Sequence, residues 1–273
     1  MNESPQIPAG SVFEEDNWRE LKRFTDARIA LGHTGASLPT KEMLKFSLSH
    51  ASARDSVHMP FEKERIAGEL EGLGFSTIQV NSQATNRQTY LTRPDLGRLL
   101  SASSGMLLAD LPKNAHDLTV VVADGLSSKA VHRNAIPMIQ HMLGYLAQLK
   151  FRLSPVVIAE QARVGLGDAV GEIIKSTFVA ILIGERPGLS SPDSLSVYLT
   201  YKPHTGRLES ERNCISNIRP EGLSYEKAAF KLAWLLEHAS LRQCTGIELK
   251  DNSDDPETFQ MIRPNEQIEA KLR

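Results

Sequence analysis

Leu118-Thr-Val-Val-Val-Ala-Asp-Gly-Leu-Ser-Ser128 decides how this chain is read. Leu118 to Val122 is a short β-branched run, the pattern of a strand buried on both faces. Ala-Asp-Gly-Leu-Ser-Ser then breaks it as a turn. A long helix follows, with Ile139, Met142, Leu143, Leu146 and Leu149 on one face. The same alternation continues downstream. Strands are expected at 155–158, 178–183 and 195–201, a helix at 168–175 and a last helix from 224 to about 241. Strands alternating with helices predict βαβ units, hence a largely parallel, doubly wound (Rossmann-like) sheet with helices on both faces.

Upstream the pattern differs. Residues 12–110 read as a mostly helical domain. Trp18, Leu21 and Phe24 recur at helical spacing within 13–28. Thr40 is placed to cap a helix with Met43, Leu44 and Leu48 on its apolar face. Residues 62–73 form another amphipathic stretch, and Pro94 suits the first position of a helix running through Leu99 and Leu100. A short strand at 76–80 interrupts these helices. The expected division is therefore a loose arm over 1–11, a helical domain over 12–110, an α/β domain over 111–250 and a polar extension over 251–273, with Pro256 and Pro264 in the last.

Composition narrows the functional classes. Hydrophobic residues make up 41% of 273, enough for a buried core. The net charge of -2 gives no footprint for nucleic acid or an anionic membrane. The longest apolar run, Phe178-Val-Ala-Ile-Leu-Ile-Gly184, is too short to span a bilayer. The first residues lack the basic and apolar regions of a secretory signal. Two cysteines make no disulfide framework, which fits a reducing cytoplasm.

Ligands of open α/β sheets settle outside the carboxyl ends of the strands. Three glycine-bearing loops are expected there, at 124–128, 160–167 and 184–193. Gly165-Leu-Gly167-Asp-Ala-Val-Gly171 approximates a dinucleotide fingerprint, with one residue too many before the third glycine. Asp124 reads as a residue for a phosphate-site metal, as in a hydrolase, or as a turn residue capping the next helix. Glu185 and Arg186, placed directly after an apolar strand end, read as a ligand contact or a surface ion pair. Cys214 has no paired histidine for nucleophilic work, and the eight histidines show no metal-ligand spacing, so neither a catalytic cluster nor a metal site is assigned. On these residues alone, a nucleotide-binding oxidoreductase and a non-catalytic scaffold both remain open.

Several motifs, in order across roughly 20–250, resemble one family. They are Ala27-Arg-Ile-Ala-Leu-Gly-His-Thr-Gly35, Tyr90-Leu-Thr-Arg-Pro-Asp-Leu-Gly-Arg98, Asp124-Gly-Leu-Ser127, Arg163-Val164 with Gly171-Glu-Ile173, Gly184-Glu-Arg-Pro-Gly-Leu189, Ser194-Leu-Ser196 and Cys214-Ile-Ser-Asn-Ile218. Together they resemble the small (light) subunit of ethanolamine ammonia-lyase. The resemblance implies a lyase that converts ethanolamine to acetaldehyde and ammonia with adenosylcobalamin, by cobalt–carbon homolysis and hydrogen abstraction. It implies a large-subunit partner, a (β/α)8 barrel that holds the substrate and the upper corrin face. This chain would then close over the lower part of the cofactor, with Val164, Glu185 and Cys214 as the matching contacts. Asp124 and Arg163 stand behind them by loop position. In the family the cofactor keeps its own dimethylbenzimidazole base, and no Asp-x-His-x-x-Gly occurs here to replace it. The implied location is the cytoplasm or a bacterial microcompartment within it; in some relatives a longer N-terminal arm helps such routing, and the short arm here leaves encapsulation open.

Overall fold

The computed structural model describes residues 15–25, 27–112 and 116–255. The arm expected over 1–11 and nearly all of the C-terminal extension, 256–273, lie outside the described residues. The chain forms two compact units, Met1–Arg54 with Gly188–Ser191, and Asp55–Pro187 with Pro192–Arg273.

The first unit holds a 3-10 turn at Arg19–Arg23 and most of helix α1 (Thr40–His58). The apolar positions that suggested buried helical faces are open to solvent: Trp18 is 67% and Phe24 85% exposed, and Met43, Leu44 and Leu48 are exposed along α1. Arg28 braces the helix, donating to the Glu42 carbonyl at 2.8 Å and lying 4.8 Å over the Phe46 ring. Among the described residues of this unit only Pro39 is buried. So few buried side chains do not make a core.

The second unit contains α2 (Lys63–Gly72), β1 (Thr77–Asn81), α3 (Arg87–Thr92), α4 (Ala102–Ala109), β2 (His116–Ala123), α5 (Ser128–Leu149), β3 (Val156–Glu160), α6 (Val164–Ile174), β4 (Ser176–Gly184), β5 (Leu195–Tyr201), β6 (Arg212–Ile218) and α7 (Tyr225–Arg242). The strands form one mostly parallel sheet in the order β1-β3-β2-β4-β5-β6. The first four strands run parallel, β5 is antiparallel to β4, and β6 is antiparallel to β5. The segment 185–194 before β5 carries no helix, and a parallel crossover needs about a dozen residues or more, so the chain turns back instead. The strand expected at 76–80 is β1, which joins the sheet edge beside β3. In place of a helix through Leu99 and Leu100 the chain makes a 3-10 turn at Leu96–Arg98, and Leu99 is extended.

Alternate residues of the central strands serve opposite faces, as strand geometry requires. Leu118, Val120, Val122, Phe178, Ala180 and Leu182 pack with α2, α5 and α7. Val121, Ala123, Val157, Ala159, Val179, Ile181 and Ile183 pack with α4 and α6. Being covered on both faces is what made these strands continuous apolar runs. Each buried Val, Leu or Ile contributes about 1.5–3 kcal/mol relative to exposure. Helix α5 starts on a cap in which the Ser127 hydroxyl accepts from Ala130 N at 3.1 Å. It ends at Lys150, a left-handed residue with φ +55°.

Helix α6 approaches the sheet closely at its glycines. A Cβ at Gly171 would lie 2.4 Å from Pro203 Cγ, whereas one at Gly165 would meet only the Arg98 side chain at 3.6 Å. Alanine favours a helix interior by about 1 kcal/mol over glycine, but overpacking costs about 1–3 kcal/mol. Gly171→Ala is therefore expected to lower the unfolding free energy by up to about 2 kcal/mol, and Gly165→Ala to leave it unchanged or raise it by up to about 1 kcal/mol. Denaturant titration of the two variants checks the opposite signs.

Candidate functional site

The loop 161–163 between β3 and α6 is held from three sides. Asp124, just after β2, accepts from Gly125 N at 2.9 Å and Ala162 N at 3.0 Å, both at Oδ1. Its Oδ2 faces Arg87 Nη1 at 3.2 Å. Burial pushes the Asp124 carboxyl up to about 6, against the pull of the Arg87 charge and of the backbone donors. The Tyr90 hydroxyl donates to the Ala162 carbonyl at 2.9 Å. The guanidinium groups of Arg87 and Arg163 lie 4.8 Å and 4.4 Å from the Tyr90 ring centre. Arg163 N donates to the Gly97 carbonyl at 2.8 Å. A Cβ at Gly97 would fall 2.9 Å from Arg163 Cγ and 3.1 Å from the Tyr90 ring, so this approach requires glycine. The Tyr90-to-Arg98 motif is thereby explained: it shapes the entry to α6. Buried with both oxygens engaged, Asp124 holds this loop in place.

The second part of the site forms where β4, β5 and β6 meet. Gly125 (φ +58°) and Gly184 let two backbones touch. Leu126 N donates to the Gly184 carbonyl at 2.9 Å, and a Cβ at Gly184 would sit 2.1 Å from the Ser127 carbonyl. Glu185 follows at once. Its Oε1 accepts from the Ser196 hydroxyl and from Asn217 N, the latter at 3.0 Å. Asn217 belongs to a β-bulge, where the β5–β6 register shifts between Leu195 and Val197, and has φ +58°, a conformation asparagine tolerates. Cys214 pairs across the strands with Tyr198, and its thiol sits beside the hydroxyls of Tyr198 and Ser196. The residue reaches the surface, yet burial of the thiol raises its pKa, so it is a neutral S–H rather than a thiolate.

The structure thus brings Glu185 and Cys214 together through Ser196. Val164 is not in hydrogen-bond or ring contact with either of them; it packs, as Tyr198 does, against the apolar cluster between α6 and the sheet. Its position differs from expectation in one respect. Val164 is the first residue of α6, not part of a loop reaching to Gly167. Gly165, Gly167 and Gly171 consequently lie inside the helix, where they allow close packing on Ile181 and Pro203. They do not form the phosphate turn that a dinucleotide fingerprint requires. A hollow of about 550 Å³ opens beside the first turn of α6, lined among others by Arg98, Gly165, Asp168, Arg207 and Arg212.

Sequence reading missed Ser196, Tyr198 and Asn217 as neighbours of Glu185 and Cys214. Ser196 and Tyr198 alternate on one face of β5, so period-two counting from Cys214's partner strand would have found them. Asn217 lies within the Cys214-to-Ile218 motif, but its approach to Glu185 carried no signal, because a bulge is invisible to that period. Among the described residues no group of three His, Cys, Asp or Glu side chains is placed to hold a metal ion, and no helix is long and apolar enough to cross a membrane.

Comparison with known proteins agrees with the motif order. The family model described as ethanolamine ammonia-lyase light chain (EutC) matches residues 15–250. The ethanolamine ammonia-lyase small subunit of Pseudomonas fluorescens is 48% identical over 261 residues, covering 94% of this chain and 93% of that one. The protein of the same name from Pseudomonas syringae pv. tomato is 50% identical, covering 86% of this chain and 83% of that one. A third, from Rhodopseudomonas palustris, is 48% identical with 86% and 90% covered. With a family match over most of its length and relatives near one-half identity, the chain belongs to the ethanolamine ammonia-lyase light chain family.

Proposed function

We propose that this chain is the small subunit of an adenosylcobalamin-dependent ethanolamine ammonia-lyase, which converts ethanolamine to acetaldehyde and ammonia. In this reading the large subunit holds the substrate, and this chain holds the lower part of the cofactor with Val164, Glu185 and Cys214. When bound, the cofactor supplies the radical that starts the reaction. The observation that carries the reading is the meeting of Glu185 and Cys214 on the exposed side of the β5–β6 edge.

The groups there suit a large ligand edged with amides. Both hydrogen bonds to Glu185 fall on Oε1, so Oε2 faces no protein donor among the described residues and is suited to accept an amide N–H or a hydroxyl. Val164 and the Tyr198 ring offer apolar contact, and Cys214 a weak donor that does not ionise. Arg163, at the start of α6, keeps a buried Nε without a hydrogen-bond partner among the described residues. The role of this chain is then to bind and orient the cofactor and to keep water from its lower side. Helices on both faces of the sheet support a doubly wound, Rossmann-like frame for that task. The exposed Trp18, Phe24, Met43, Leu44 and Leu48 support docking of the N-terminal region on the large subunit, since so much apolar surface is usually covered in a complex. A cytoplasmic assembly fits this reading.

Co-expression with a barrel-type large subunit is expected to yield a complex that deaminates ethanolamine only with adenosylcobalamin; deamination without it overturns the reading. In that complex Glu185→Gln keeps an oxygen for Ser196 and Asn217 but loses the charge offered to the ligand. A hydrogen bond to a charged group contributes about 1.5–3 kcal/mol, so cobalamin retention is expected to weaken roughly ten-fold or more. A scaffold subunit would show no change.

The loop that leads into Val164 hangs on Asp124, which adds a pH signature. The folded pKa of about 6 lies above the ordinary value of 3.8, so the folded state takes up this proton more readily than the unfolded state. The associated stabilisation is full below about pH 4 and is lost as pH rises through 6. Between pH 4 and 7 the wild type is expected to lose on the order of 2–3 kcal/mol relative to Asp124→Asn. Parallel stability curves for the two proteins across that window would rule out the raised pKa.

A further inference from the structure

Asp168 and Arg212 form an ion pair in which each side chain is only 2% exposed. Arg212 also reaches the Arg207 carbonyl at 3.0 Å and Glu209 at 3.0 Å. The pair is not an economical way to hold α6 on the sheet. Taking two charges out of water costs about as much as their attraction returns, and well-packed apolar residues of similar volume commonly do as well or better. Here the cost is raised further, because Arg212 Nε is buried without a hydrogen-bond partner among the described residues. Its distinctive property is direction. A guanidinium and a carboxylate meet in few geometries, whereas apolar contacts slide.

The two residues stand in telling places. Asp168 lies one helical turn after Val164 on α6, so the two share a stripe of that helix. Arg212 lies two residues before Cys214 on β6, so the two share a face of that strand. The link is the only hydrogen bond or ion pair joining α6 to β6 among the described residues that the side chains of either element make. It ties the element that presents Val164 to the element that presents Cys214.

We propose that Asp168 and Arg212 are positioning residues, an internal strut that sets the separation and tilt between the start of α6 and the Cys214 strand, and so the shape of the cofactor-facing surface. This rests on the reading of Val164 and Cys214 as cofactor contacts. Neither residue of the strut needs to touch the cofactor. Loosening it should therefore weaken cofactor binding without removing the fold or altering substrate handling.

The test replaces the pair by apolar residues of similar size, Asp168→Leu with Arg212→Met, in the co-expressed complex with the large subunit. The complex is expected to assemble with a thermal midpoint close to the wild type. Cobalamin retained after gel filtration, read by absorbance, should fall, and the cofactor concentration for half-saturation should rise on the order of ten-fold, as for supporting partners of other bound groups. The KM for ethanolamine and kcat at saturating cofactor should stay unchanged. Asp168→Asn is the second variant. It keeps the shape and leaves Arg212 charge-paired with Glu209, so it should fold and show a smaller shift in the same direction. Wild-type retention and half-saturation in an assembled variant of either kind overturns the strut. If Glu185→Gln also retains cobalamin like the wild type, the site reading itself has failed; if Glu185→Gln loses it and the apolar pair does not, only the strut has.

Discussion

Everything at the carboxyl end of the sheet depends on one backbone contact, the approach of the turn after β2 to the last residue of β4. A Cβ at Gly125 would lie 2.2 Å from the Gly184 carbonyl, and one at Gly184 would lie 2.7 Å from the Asp124 carbonyl. Nothing larger than hydrogen fits at either position. Because the strands close together there, Leu126 can bond to Gly184, and Glu185 leaves the sheet at a fixed point. Its backbone N–H then bonds to the Ser194 carbonyl at 2.9 Å, and its carboxylate reaches across to the bulge of β6. Displacing the turn would move Glu185 and the Asp124 anchor of the next loop together.

That coupling explains why the motifs are spread over the whole second unit while the surface they build is small. Asp124-Gly-Leu-Ser127 closes the strand end and holds Ala162. Tyr90 to Arg98 folds over the same loop through Tyr90 and Gly97. Gly184-Glu185 and Cys214-Ile-Ser-Asn-Ile218 meet at the bulge. Most of these residues shape the backbone, and the buried Asp124 does so by holding Gly125 and Ala162.

The central strands were legible because burial on both faces leaves a continuous apolar run, and β2, β4 and β5 were found close to their observed bounds. Strand β6 was not, because Arg212, Asn213, Ser216 and Asn217 are polar for local reasons: an ion pair, a cap on Gly246 and a bulge. The start of α6 was missed because Val164-Gly-Leu-Gly is a poor helix former and Arg163 supplies no side-chain cap. Bonds from Gly97 and Asp124 set the backbone there, and those come from distant parts of the chain. The ends of α5, α6 and α7 carried no glycine stop, since Lys150, Lys175 and Gln243 take the left-handed position. In the first unit the apolar spacing was real, but Trp18, Phe24 and Leu44 are left exposed by the described residues of this chain.

The chemistry of the face follows from what it lacks as much as from what it presents. Burial keeps the Cys214 thiol neutral against the opposing pull of the Tyr198 and Ser196 hydroxyls, so it cannot serve as a nucleophile or a competing base at ordinary pH. Tyr198 is likewise held in its protonated form, chiefly by burial and then by its neighbour Cys214. Glu185 keeps one oxygen fixed on the bulge, which limits its rotation and aims the other outward. A surface built this way offers shape and a single aimed acceptor, with its titratable neighbours silenced. Under the proposed function inert side chains are a physical requirement, because a thiolate or phenolate there would offer an easily oxidised centre beside the cofactor.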